Sequence, residues 1–273
     1  MSIHTEPQLN AAGNYTLGVG ADIFSVLATQ PLDTAATYVM SRKGMPPFGT
    51  WLWRGAAANC SGAFVQGGVP FMVNGLIAEH FFKTQHLSQS QMVANGVFTG
   101  LISAGAIAPF ERVAKLHQLH GGSIYSVCQR SIAENGMASF FKAAGPIALR
   151  DSIVFGTFFG GRRVLENQLE PYVPHVGLKE GIASIATGIF AGAISTPAAR
   201  INVLMQGDVQ GTYPTMARTL QTVVKQEGVQ SLFKGAAARS GFMGGYYLTL
   251  AIGYKMLRNN LPGIFYQNTA SHL

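Results

Sequence analysis

Three prolines sit in the same setting, each near the end of a long apolar stretch: Gln30-Pro31-Leu32-Asp33, Ala108-Pro109-Phe110-Glu111 and Thr196-Pro197-Ala198-Ala199. They lie 78 and 88 residues apart, a recurrence that divides the chain into three tandem units. A proline inside a helix removes a backbone hydrogen bond and bends the helix, so three such bends imply three kinked helices arranged around something. A second marker follows each proline: Trp53-Arg54-Gly55, Phe141-Lys142-Ala143 and Phe233-Lys234-Gly235. The last two are preceded by matching helix starts at Glu134-Asn135-Gly136 and Glu227-Gly228.

The medium around these helices follows from composition. Only 11% of the 273 residues are charged while 48% are hydrophobic, against roughly 25% charged in soluble domains. Stretches near the ~20 residues that cross a bilayer as helix occur at Gly55–Ile77, Met92–Phe110 and Gly181–Ala199. Three more are interrupted by charge: Asn14–Met40 by Asp22 and Asp33, Ala143–Gly161 by Arg150 and Asp151, and Arg239–Tyr254 by its first residue. The reading is an all-α membrane protein of six transmembrane helices. Its repeats span residues 10–85, 88–168 and 177–261. Met1–Gly13 is polar and lacks the basic start and apolar run of a cleavable signal, so targeting information is expected to be internal. Cys60 and Cys128 are too few and too far apart for a disulfide framework or a metal site, and His117 with His120 adds no ligand set. No cofactor is called for, and no nucleophile–base pair points to an enzyme. The net charge of +7 suits anionic lipid or an anionic solute. Nucleic acid is excluded as a partner, because no polybasic run occurs.

The ordered prolines and aromatic-basic markers resemble those of the mitochondrial carrier family over nearly the whole chain, nearest in parts to the adenine nucleotide carriers. That resemblance implies three two-helix repeats with pseudo-threefold symmetry around a central cavity, working as a monomer by alternating access in the mitochondrial inner membrane. The same features suit a protein that an intracellular bacterium delivers into mitochondria. The first repeat departs from the pattern: proline to second marker takes 24 residues, against 34 and 38 in the others. Ser41–Thr50 therefore has no room for the family's surface helix.

Both termini of a six-span chain lie on one side. The connections after the odd spans hold eight basic residues (Arg42, Lys43, Arg54, Arg130, Lys142, Arg218, Lys225, Lys234) against three acidic ones (Glu134, Asp208, Glu227). The opposite face holds six (Lys83, Arg162, Arg163, Lys179, Lys255, Arg258) against five (Glu6, Glu79, Glu166, Glu170, Glu180). The positive-inside tendency turns the first set toward the matrix. The resemblance implies cardiolipin at the helix starts marked by Arg54-Gly55, Lys142 and Lys234-Gly235; simple snorkelling of the three cations to the interface fits as well.

The resemblance also locates gates. Its acid two residues past each proline is Asp33, Glu111 and then Ala199; its base five residues past falls on Ala36, Ala114 and Asn202, so the usual ion-pair network is missing. Lys115, one residue late, is placed to reach Asp33, and Gln118 and Gln206 match the family's glutamine braces. The opposite gate falls on Gly75/Ala78, Arg163/Glu166 and Lys255/Arg258, where the acid-then-base order is lost; Arg162, Arg163 and Glu166 fit a pairing along one helix better than a lock between helices. Substrate contact points seven residues past the second marker are Gly62, Arg150 and Phe242, beside Ala63, Asp151 and Met243. Charges inside a membrane are costly and default to function, which singles out Asp22, Arg150, Asp151 and Arg239. A purely structural Arg150–Asp22 or Arg239–Asp151 pair is the competing account. Asn59, Gln66, Ser152, Tyr246 and Tyr247 are further polar candidates, each of which also suits a bond between helices.

The substrate indicated is an anionic metabolite. Arg150-Asp151 looks like an amino-acid carrier, whereas Ala108–Val113 and Phe233–Tyr246 look like the adenine nucleotide branch; the longer likeness favours ATP/ADP, with uniport permitted by the missing gate charges. The alternatives are an amino-acid or carboxylate carrier, or a carrier-like membrane adaptor that has lost transport.

Overall fold

A computed structural model describes residues 9–42, 49–82 and 87–266. Within them run ten helices: α1 Ala11–Met40, α2 Ala56–Gln66, α3 Gly68–His80, α4 Gln89–His120, α5 Ile124–Asn135, α6 Ala144–Phe155, α7 Arg162–Leu169, α8 Val176–Gly207, α9 Met216–Glu227 and α10 Ala236–Arg258. A π-helical turn, Gly156–Gly161, joins α6 to α7. Pro31, Pro109 and Pro197 lie inside α1, α4 and α8.

Six spans result: α1, α2 with α3, α4, α6 through α7, α8 and α10. Each packs on the next, and α10 packs back on α1, so the spans close a ring. Thr50–His80, Gln89–His120 and Val176–Gly207 are long and apolar enough to cross a membrane by length and composition. Buried charges lie on both kinds of span: Asp22, Asp151 and Arg239 on the remaining three, and Glu111, Arg112, Lys115 and Arg200 toward the ends of α4 and α8. Polarity along α1 is inverted relative to a soluble helix: Phe24 and Leu27 are exposed while Asp22, Ser25, Thr29 and Gln30 are buried. Such a face belongs against lipid, with the polar groups satisfied inside the bundle.

The repeats are built alike. Short 3₁₀ turns at Thr50–Trp53, Met137–Phe141 and Val229–Phe233 each run into the basic residue that starts an even-numbered span. Gly55 and Gly235 begin α2 and α10 at φ +88°, a left-handed conformation that glycine adopts without strain. Surface helices α5 and α9 follow α4 and α8. The first repeat has none among its described residues; residues 43–48 of its short connection, with Lys43, lie outside them, as do Glu6 and Lys83. The side chains of Arg130 and Glu134 are likewise outside the description.

Two breaks bend the even spans. Between α2 and α3, Pro70 supplies no N–H for the Gln66 carbonyl one turn before it, and the helix is interrupted at Gly67. There α1 comes so close that a Cβ on Gly67 would lie 2.5 Å from Asp22 Cβ. In the second repeat a Cβ on Gly100 would lie 2.3 Å from the Asp151 backbone, and in the third one on Gly188 would lie 2.4 Å from the Met243 carbonyl. Small residues thus let the two helices of each repeat touch along their backbones. The ends of the described chain meet as six spans require: Asn10 N–H donates to Phe265 O at 2.9 Å.

Candidate functional site

The ring encloses a cavity of about 140 Å3 that runs from Asp22, Gln66 and Tyr246 at one end to Lys115 and Met40 at the other. It lies against all three repeats: Asn59 and Gln66, Arg150 and Asp151, and Arg239, Phe242 and Tyr246 come from the three even spans.

At the proline end two links hold the spans together. Lys115 Nζ on α4 lies 3.1 Å from Asp33 Oδ1 on α1 and also donates to Thr37 Oγ1 at 2.9 Å. Gln118 joins both partners, accepting from Lys115 at 3.0 Å and donating to Asp33 Oδ2 at 2.6 Å. The second link is neutral on one side: Asn202 Nδ2 donates to Glu111 Oε1 at 2.7 Å, a hydrogen bond where the family pattern has an ion pair. The third link has no charge at all, and Ala36 and Ala199 are buried in one apolar cluster with Val203 and Leu119. Both polar atoms of the Gln206 side chain, expected as a brace, are buried without a hydrogen-bond partner among the described residues.

Arg150 is held on two sides. Its Nη1 and Nη2 grip Glu111 at 2.5 and 2.8 Å, a bidentate pair between α6 and α4, while its Nε donates to Asp151 at 2.7 Å. The Arg150–Asp22 pair does not form. Arg239 makes no ion pair with Asp151; among the described residues it donates to Ser195 Oγ, at 3.3 Å from both Nε and Nη2. Tyr246 hydroxyl donates to Asp22 Oδ1 at 2.6 Å. Asn59 donates to Gln30 at 3.0 Å, and Gln30 in turn to the Arg54 carbonyl at 3.0 Å. Gly62 lies behind the side chain of Gln66, whose Nε2 would be 2.4 Å from any Cβ placed there, so Gln66 rather than Gly62 faces the cavity.

The opposite end is closed by rings instead of charges. Phe71 of α3 packs on Phe158, Phe159 and Tyr254 with centroids 6.1, 5.1 and 5.7 Å away, and Phe158 meets Tyr247 at 5.1 Å. All three repeats contribute to this plug. Arg162 lies 5.6 Å over Phe158 and pairs along its own helix with Glu166 at 3.3 Å. Lys255 reaches outward to Glu180 at 2.9 Å.

Among the expected lipid contacts, Arg54 and Lys234 are exposed beside exposed Trp53 and Phe233, the aromatic-cation arrangement of a membrane interface. Lys142 is not available in this way: its ammonium is 2.7 Å from Asp208 and largely buried. Burial pushes the Asp208 carboxyl up, but the Lys142 bond and the N–H groups of Tyr213 and Thr212 outweigh it and hold the carboxyl below its usual range.

Sequence reasoning passed over two buried arginines at matching places, each three residues past a proline. Arg112 donates to the carbonyls of Met205, Gln206 and Asp208, fastening α4 to the end of α8. Arg200 pairs at 2.5 Å with Glu227, which also takes Arg42, tying α8, α9 and α1. That shared offset was the signal available.

A family model described as mitochondrial carrier protein matches residues 85–172 and 175–264. The chain is similar to a calcium-binding mitochondrial carrier protein of Dictyostelium discoideum, 24% identical over 93% of this chain and 36% of the relative. It is also similar to the human mitochondrial carnitine/acylcarnitine carrier protein, 29% identical over 77% of this chain and 74% of the relative. A third relative is the probable mitochondrial 2-oxodicarboxylate carrier of Dictyostelium discoideum, at 26% over 54% of this chain and 52% of the relative. The chain thus spans about a third of the first of these.

Proposed function

The chain belongs to the mitochondrial carrier family, and we propose that it moves a small zwitterionic carboxylate, with a carboxylate at one end and a cationic nitrogen at the other, across the mitochondrial inner membrane. Relatives named for carnitine and for an oxodicarboxylate carry carboxylates. The observation that carries the reading is the charge balance of the cavity. Asp22, Asp33, Glu111 and Asp151 face Lys115, Arg150 and Arg239, four formal negative charges against three positive. Among the described residues Arg239 is the one cavity cation without a carboxylate partner within ion-pair distance. One free guanidinium suits one carboxylate, and the surplus negative charge suits a cationic end.

The adenine nucleotide expected from the longer sequence likeness is less well supported. A polyphosphate brings three or four negative charges into a site already net negative, with Arg150 committed to Glu111 and Asp151. Pockets for drug-sized ligands run to roughly 300–1,000 Å3, and this cavity has about 140 Å3. In the carrier reading the proline end is the matrix gate, the protein acts as a monomer, and Arg54 and Lys234 contact cardiolipin. Thermal unfolding of the detergent-purified protein against a ligand panel tests the proposal, because a bound solute stabilises the folded state by mass action. Carnitine, 4-aminobutanoate or basic amino acids are expected to raise Tm where ATP and ADP do not; a shift with the nucleotides alone would overturn it.

A further inference from the structure

We infer that Asp22, positioned by Tyr246, is the subsite for the cationic end of the substrate, so that selectivity for a zwitterion is set on α1 as well as on the even spans. The inference rests on the zwitterion reading above and assigns the half of the substrate that Arg239 does not hold.

Every other cavity acid has a cation: Asp33 has Lys115, and Glu111 and Asp151 share Arg150. Asp22, 3% exposed, has none among the described residues and takes one hydrogen bond, from Tyr246 hydroxyl at 2.6 Å. The titratable groups set against it are Tyr246 from α10 and the Cys60 thiol from α2, while the break between α2 and α3 presents Gly67. None of these is a cation. A carboxylate buried at mid-membrane without a counter-ion is costly, and a cation arriving from the cavity offsets that cost.

The surroundings match a cation. Tyr246 and Phe242 both line the cavity with ring centroids 5.7 Å apart, and aromatic faces attract ammonium groups. Gln66 Nε2, in the same wall, is buried without an acceptor and can take a carbonyl or hydroxyl oxygen of the solute. Asp22 stands nine residues before Pro31, and the same offset from Pro109 and Pro197 falls on Gly100 and Gly188, so the carboxylate replaces a packing glycine. Gly67 opposite makes the room for it.

The experiment uses the full chain in proteoliposomes, with labelled 4-aminobutanoate and its trimethylammonium counterpart as zwitterion probes and pentanedioate as a dianionic competitor. In Asp22→Asn, KM for the zwitterion that wild type moves is expected to rise roughly ten- to hundredfold, the loss of one charge-assisted contact. Maximal rate should stay within about twofold, and inhibition by pentanedioate should hold or strengthen. Tyr246→Phe, which keeps the ring and removes the hydroxyl, should raise KM by a smaller factor. Equal losses of rate and of both affinities in Asp22→Asn would mark a purely structural acid and overturn the inference, as would an unchanged KM. If wild type moves no zwitterion, carnitine and basic amino acids included, the function proposed above fails first and takes this inference with it.

Discussion

Lys115 Nζ lies 3.1 Å from Asp33 Oδ1 although it stands one residue past the position at which the family pattern puts its base. The long lysine stem absorbs the shift in register, and Gln118 bonds both partners. Among the described residues it is the one ion pair of the expected gate network, since Asn202 offers Glu111 a neutral bond and Ala199 shares an apolar cluster with Ala36. Fewer charge pairs make the empty closed state shallower, and a two-state element follows the difference in stability of its states. Uptake into vesicles holding buffer alone is therefore expected, and Lys115→Gln should raise it severalfold; strict dependence on internal solute would contradict this.

Arg239→Gln should raise KM for a zwitterionic carboxylate roughly ten- to hundredfold by removing its one charged donor. The fold should survive, since among the described residues Arg239 bonds Ser195 alone. Arg150→Ala is expected to abolish uptake and also to lower Tm, because it leaves Glu111 and Asp151 buried without their cation. Parallel uptake and thermal unfolding separate the two cases.

Lys142 and Asp208 link the start of the fourth span to the end of α8, and the pair gives a pH test. The Asp208 carboxyl is depressed in the fold, so its contribution is present above the unfolded value near 3.8 and is lost as pH falls through the folded value. Lys142→Met should cost about 1–3 kcal/mol at neutral pH. Its Tm deficit should shrink on acidification below pH ~3.8; a deficit constant down to pH 2.5 would refute the assignment.

Gln206 is a buried amide whose two polar atoms find no partner among the described residues. Gln206→Met fills similar volume without that desolvation, so stability should be unchanged or rise by about 1 kcal/mol. A drop in Tm of several degrees would show that the amide has a partner after all.

The three prolines and the two-helix units were legible because each is a local pattern repeated three times. Asp33–Lys115–Gln118 was legible too, since it depends on spacing along two helices of known geometry. The cavity wall was harder. Gly62 has no side chain to present, and the space is taken by Gln66 one turn on, a substitution that offset counting does not register. Pairing was harder still: Arg150 chooses Glu111 over Asp22, and Lys142 chooses Asp208, because such choices depend on distances across the ring rather than along the chain. The aromatic plug was hidden for the same reason, its rings being scattered over three repeats among many other apolar residues.

Radiolabelled uptake by the purified full chain in cardiolipin-containing proteoliposomes tests the central claim most directly. Saturable entry of a zwitterionic carboxylate, from the set carnitine, 4-aminobutanoate and basic amino acids, is predicted, with no entry of labelled ATP. Saturable ATP entry without uptake of any zwitterion would contradict the account.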